Sequence, residues 1–199
     1  MTAYTRHFMA SARRVRREIE SGLSVASISA VQRKNLDHRA TQHGGMLHAR
    51  GVHIIDLIPW LSGRPIVGVS GQVEYGPEGY EKVVDVRLKL QEGPDAHLLC
   101  LSGDGFFEDQ VTIYGTKKSY RIEKKRLYDL DRINGWSEIG DLPFCGNSTD
   151  HFVDAVLGKV KNSESFTALD GLDGLRAHRV IDAIKKAGST GCCIEVVES

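Results

Sequence analysis

The sequence predicts an α+β fold: a large, open, mostly antiparallel sheet with helices packed on one face. Three observations carry this reading. Apolar residues recur every three to four positions near both ends of the chain. Between residues 66 and 130 the period changes to two. Within that stretch the turn clusters GPEG, EGPD, SGDG and GTKK recur, so neighbouring strands are joined by short connections, as in an antiparallel meander.

The elements follow in order. Residues 4 to 21 read as a helix with Phe8, Ala12, Val15 and Ile19 on one stripe, closed by Gly22. Residues 24 to 33 read as a strand carrying Val25, Ile28 and Val31. Residues 34 to 43 form a polar loop, the most ligand-like in the chain. A second helix spans 46 to 61 with Leu47, Gly51, Ile54, Ile55, Ile58 and Leu61 inward, and Gly63 with Pro65 stops it. Strands are predicted at 66–75, 82–90, 96–101, 109–114 and 119–123, with a shorter one at 126–130. Residues 131 to 147 read as irregular. A helix is expected over 148–161 with Phe152, Val153, Val156 and Val160 inward, and another over 169–187 with Leu172, Leu175, Val180, Ile181 and Ile184 inward. A last short strand covers 193–197. With no internal repeat and no linker, residues 1–199 are expected to form one domain. The helices cover one sheet face, so alternate strand residues on the other face, among them Val67, Val69, Val84, Val86, Leu98 and Cys100 or their neighbours, are expected to drive homo-oligomer formation.

Composition narrows the function classes. Lys plus Arg number 26 and Asp plus Glu number 26, so no electrostatic case exists for nucleic acid or an acidic membrane as partner. No apolar run approaches membrane-spanning length, and no apolar segment follows the basic N-terminus as in a secretory signal. The four cysteines contain no CxxC pair, which points to reduced thiols, a cytoplasmic location and no metal site. His43, His48 and His53 are five apart, a spacing that cannot aim all three at one metal from one helix.

Several stretches carry a family resemblance: AYTRHF at 3–8, a glycine pair followed by GVHIIDLIPWLSGRP at 51–65, IYGTKKSYRI at 113–122, FVDAV at 152–156 and DGLRAHRVIDA at 173–183. In this order they resemble the C-terminal domain of the Gfo/Idh/MocA family of NAD(P)-dependent sugar and cyclitol oxidoreductases. The resemblance implies the substrate-binding and oligomerisation half of such an enzyme. In the family a Rossmann domain precedes this one and binds the dinucleotide through a glycine fingerprint. Here only Met1 and Thr2 precede AYTRHF, no GxGxxG follows a strand, and the family's Glu-Lys-Pro motif is absent. The expectation is a chain without a Rossmann domain that holds no cofactor, with NAD(P) bound only where a separate Rossmann partner chain supplies the site.

The resemblance also assigns a site. His53 matches the family's catalytic histidine, and an imidazole that titrates near neutrality suits general acid–base work. The family's aspartate, four residues earlier, is Ala49 here, which offers neither charge nor hydrogen bond. Substrate contacts are expected from Lys34, Asn35, Arg39 and His43 in the polar loop, from His48 on the helix, and from Trp136, which could stack on a sugar ring. Asp37, His38 and Gln42 share that loop. Together these features predict a cofactor-independent enzyme acting by histidine acid–base catalysis on a small polar metabolite (a sugar, a cyclitol or a carboxylated compound). The alternatives are the substrate subunit of a split oxidoreductase and a non-catalytic ligand-binding module.

Overall fold

A computed structural model describes residues 5–35, 44–103, 105–131, 133–140, 142, 153, 157 and 171–197. The first predicted helix divides in two. A short 3-10 turn, Thr5–Phe8, ends at Met9, whose extended backbone breaks it from α1, Ala10–Glu20. Ala12 and Val15 of α1 are fully buried, while the opposite side carries the i,i+4 pairs Arg14–Glu18 and Arg16–Glu20. The second predicted helix also changes character along its length. A π-helical turn, Leu47–Gly51, runs into α2, Val52–Ser62. All six residues predicted for its inner stripe are buried. Gly63 ends α2 in the left-handed conformation, with its N–H donating to the Pro59 carbonyl.

Nine strands form one sheet in the order β8-β7-β6-β5-β1-β4-β3-β2-β9. Their ranges are β1 Val25–Arg33, β2 Ile66–Tyr75, β3 Glu81–Leu90, β4 Ala96–Leu101, β5 Glu108–Gly115, β6 Ser119–Glu123, β7 Arg126–Asp131, β8 Gly135–Glu138 and β9 Ile194–Glu195. The expected meander is interrupted at its centre. β1 lies between β4 and β5, parallel to β4 from Ile28↔Ala96 to Arg33↔Leu101 and antiparallel to β5 from Val25↔Gly115 to Arg33↔Glu108. Ile28 and Ala30 of β1 are fully buried, so this strand needs neighbours on both edges. Two short hairpin runs, β2–β4 and β5–β8, are thereby joined by the strand that precedes both. β8 went unpredicted: it is four residues long and holds one large apolar side chain, so no alternation marks it. It is introduced by Asp131, whose Oδ1 accepts the N–H groups of Ile133 and Asn134.

The long helix α3, Gly171–Thr190, lies along β2. Ala177, Val180, Ile181, Ile184 and Ala187 face the sheet. Leu172 and Leu175, expected inward, are exposed at 56% and 45%, because the buried stripe begins only after the first turn. Gly188 is required where α3 meets β2: a Cβ there would lie 2.7 Å from the Val73 side chain. The helix expected over 148–161 lies outside the described residues except for Val153 and Leu157. Leu157 N–H donates to the Val153 carbonyl, as in one helical turn.

Strand alternation fixes the two faces, and one expectation is reversed. Val69, Val84, Val86, Leu98 and Cys100 are buried in the core beneath the helices, and Val67 is half-buried. The opposite face instead carries Asp85, Arg87, Lys89 and His97, with an Asp85–His97 pair at 2.6 Å, beside half-buried Val31, Val83, Leu99 and Leu101. The sequence pattern fixes the alternation but not which of its two phases turns inward.

Candidate functional site

His53 sits on the first turn of α2, and its approach is set by the glycine pair. Gly44 and Gly45 both have positive φ, 83° and 99°. A Cβ on Gly45 would fall 2.1 Å from Glu81 Oε2, so glycine is required there twice over. Glu81 is buried at the start of β3 and pairs with Lys185 of α3 at 3.1 Å. Beyond this turn the chain widens into the π turn, a form that recurs where helices carry functional groups. Ala49 N–H closes back on the Gly45 carbonyl at 2.9 Å.

The His53 imidazole has its Nδ1 shut off from solvent. Burial first, then the charges of Arg6 and Arg50, lower its pKa from the ordinary 6.5, and Asp109 opposes them. Arg6 comes from the 3-10 turn and Asp109 from the start of β5. Their fork is bidentate, with Nη1 donating to Oδ1 at 2.6 Å and Nη2 to Oδ2 at 2.5 Å. Asp56, one turn beyond His53, is engaged elsewhere: His7 Nε2 meets its Oδ2 at 2.7 Å, with both side chains 6% exposed. Burial raises the Asp56 pKa and the His7 contact works against that rise. The His7 ring stacks on Trp60 at 4.6 Å and 15°. Consecutive residues of the 3-10 turn therefore serve opposite sides of α2, Arg6 toward His53 and His7 toward Asp56.

The other predicted site residues separate into three groups. Lys34 and Asn35 leave β1 where β5 begins, since Arg33 pairs with Glu108 next to Asp109. This places them at the sheet end that bears the Arg6–Asp109 fork, and the Lys34 ammonium lies 5.9 Å from the Phe107 ring centre. His48 belongs to a different cluster. Its ring stacks on His178 at 5.1 Å, and burial, then Lys185 and His178, lower its pKa while Glu81 and Asp182 oppose. Trp136 is on β8, with the Arg121 guanidinium 5.0 Å from its ring and 4.6 Å from that of Tyr128. Arg121 and Tyr128 are register partners on the face away from the helices, so Trp136 is not brought to His53. Arg39 and His43 lie outside the described residues, as do Asp37, His38, Gln42 and Cys145. Arg6, Arg50 and Asp109 were not foreseen as site residues. The AYTRHF motif was the one signal available for Arg6.

Among the described residues, no group of three His, Cys, Asp or Glu side chains could hold a metal. Cys100 is buried and its thiol is pushed up to about 12, which removes it as a nucleophile. The described residues do not fit a dinucleotide. The SGDG cluster joins two strands, and the glycine turn that does lead toward a helix, Gly44–Gly45, has the Glu81 carboxylate against it, which repels a pyrophosphate. No helix among the described residues is long and apolar enough to cross a membrane.

A half-open α+β sheet with a histidine-bearing helix on its covered face defines the class to which this chain belongs. Residues 12–121 match the model of the GFO/IDH/MocA C-terminal domain, more than half of the chain, and the protein is a member of that family. Solved structures agree in fold. The aldose-aldose oxidoreductase of Caulobacter crescentus, complexed with glycerol, superposes with a TM-score of 0.79 at 18% identity, covering 95% of this chain and 61% of that one. The scyllo-inositol dehydrogenase of Lactobacillus casei, with bound NAD(H) and scyllo-inositol, gives 0.74 at 17% identity, covering 100% and 65%. The WlbA dehydrogenase of Bordetella pertussis, in complex with NADH and UDP-GlcNAcA, gives 0.71 at 19%, covering 96% and 60%. The chain thus spans less than two thirds of each. No curated protein matches the sequence.

Proposed function

We propose that this oxidoreductase-family domain binds a small polar metabolite, hydroxylated or carboxylated, and that His53 moves a proton on it without a nicotinamide cofactor. One observation carries the reading: a solvent-shielded imidazole with its pKa lowered by burial and by Arg6 and Arg50. Such a group is neutral at neutral pH and ready to accept a proton, while the two guanidinium groups favour the negative charge that develops on the substrate. Ala49 supports the departure from hydride transfer, because no carboxylate is available at the position of the family's aspartate. Lys34 and Asn35 at the adjoining sheet end supply donors for hydroxyl or carboxylate groups.

The test is solvent exchange. The protein is incubated in D2O with aldoses, inositols and uronates, and carbon-bound deuterium is followed by NMR. Exchange is expected next to the carbonyl of at least one compound without added NAD(P)H, and it is lost in His53→Ala. Turnover that requires NAD(P)H and a second chain would instead support a split oxidoreductase completed by a separate Rossmann subunit. That second reading draws on the NAD(H)-bound dehydrogenases among the structural neighbours.

A further inference from the structure

Helix α2 carries a second concave surface one turn beyond His53. A cavity of about 320 Å³ lies between the C-terminal half of α2, the first half of α3, the turn after Gly63 and the end of the chain at Val196 and Val197. His53 does not line it. The walls are chiefly apolar, formed by Ile55, Pro59, Ile66, Val180 and Val196. The buried His7–Asp56 pair forms part of the floor, and these two groups already satisfy each other at 2.7 Å.

The charges are at the rim. Arg64, Arg176 and Arg179 line the cavity together with Asp173. Arg176 pairs with Asp173 at 3.3 Å. Arg64 is steadied by backbone carbonyls, donating from Nη1 to Gln91 and to Glu92, and neither contact neutralises its charge. With Asp56 committed to His7, three arginines face one carboxylate. A cavity of this size accepts a small organic molecule, and a mostly apolar lining with a few charged groups at one end is what fixes such a ligand's orientation. A polyhydroxylated metabolite is disfavoured here, since its hydroxyl groups would lose water without gaining partners along the apolar walls.

We propose that this cavity binds a small amphipathic acid, an aryl or branched-alkyl body seated between α2 and α3 with one carboxylate directed to Arg64 and Arg176. The site is separate from the His53 site and takes a different chemical class of ligand.

Benzoate, phenylacetate and isovalerate, with 2-phenylethanol as the uncharged counterpart of phenylacetate, are titrated into the isotopically labelled protein and followed by amide NMR. At least one acid is expected to saturate, with shifts at Ile66, Val180 and Val196 and none at His53. Phenylacetate should bind at least about tenfold more tightly than 2-phenylethanol, the usual value of a charge-assisted pair. Arg64→Met and Arg176→Met should each weaken acid binding and leave alcohol binding unchanged. Equal affinity for acid and alcohol overturns the proposal, and so does failure of all three acids to saturate by about 10 mM, the weak end of specific binding. Because the acid–alcohol comparison uses the unaltered protein, the proposal stays testable if an arginine variant fails to fold.

Discussion

Arg6 grips Asp109 through both carboxylate oxygens, at 2.6 and 2.5 Å, joining residues 103 positions apart in the sequence. The pair is largely shielded, with side chains 12% and 15% exposed. It ties the 3-10 turn before α1 to the first residues of β5, and both ends border His53. Arg6→Met leaves Asp109 shielded without its cation and is expected to cost on the order of 3 kcal/mol. Arg6→Met combined with Asp109→Leu should recover part of that loss. Urea unfolding of the two single variants and the double variant measures the coupling, and strict additivity would show that the fork contributes nothing.

Gly45→Ala is expected to destabilise the protein by about 2 kcal/mol or more, from positive φ and the approach to Glu81 Oε2. Pairing it with Glu81→Ala removes the steric part and leaves the backbone part. Thermal unfolding of both variants separates the two. A Gly45→Ala protein as stable as the parent would remove the glycine turn as the element that sets the start of the His53 helix.

The pH dependence of stability follows from the histidines. His48 and His53 both have folded-state pKa values below the ordinary 6.5. Below that value the unfolded chain binds more protons than the folded one, so the folded state loses stability as pH falls from 6.5 through the lowered values. His53→Gln should flatten this acid slope, as measured by urea midpoints between about pH 7 and pH 5. Asp56 acts with the opposite sign. Its pKa is raised above 3.8 by burial, so its contribution is full below that value and declines as pH rises through the raised one.

The sheet face away from the helices bears half-buried Val31, Leu99 and Leu101 among charged neighbours. A second copy of the chain is expected to cover it, giving a homo-oligomer by light scattering at micromolar concentration. Leu99→Lys should shift that species toward monomer with its circular dichroism unchanged. A monomeric parent protein would rule out this use of the face.

The sequence disclosed the fold wherever local periodicity decides structure. β2, β4 and β6 run over the ranges their alternation predicted, and the inner stripe of the His53 helix is buried as its spacing required. The insertion of β1 between β4 and β5 was not legible, because strand order depends on contacts between distant segments. The same limit hid the site. His53 could be read from its place in a motif, whereas Arg6 and Asp109 acquire their role only through a fork spanning 103 positions. His48, five residues from His53, looked like a companion, but packing turned it toward His178 and Lys185 instead. Trp136 looked like a sugar platform, yet its strand phase sends it to the other face of the sheet beside Arg121.

The most direct test is the titration of the His53 imidazole by nitrogen-15 NMR in the intact protein. Its midpoint should lie below 6.5 and move upward in Arg50→Met, which removes one of the cations opposing protonation. A midpoint at or above 6.5, unchanged by Arg50→Met, would contradict a neutral, cation-flanked base at this position and with it the proposed proton transfer.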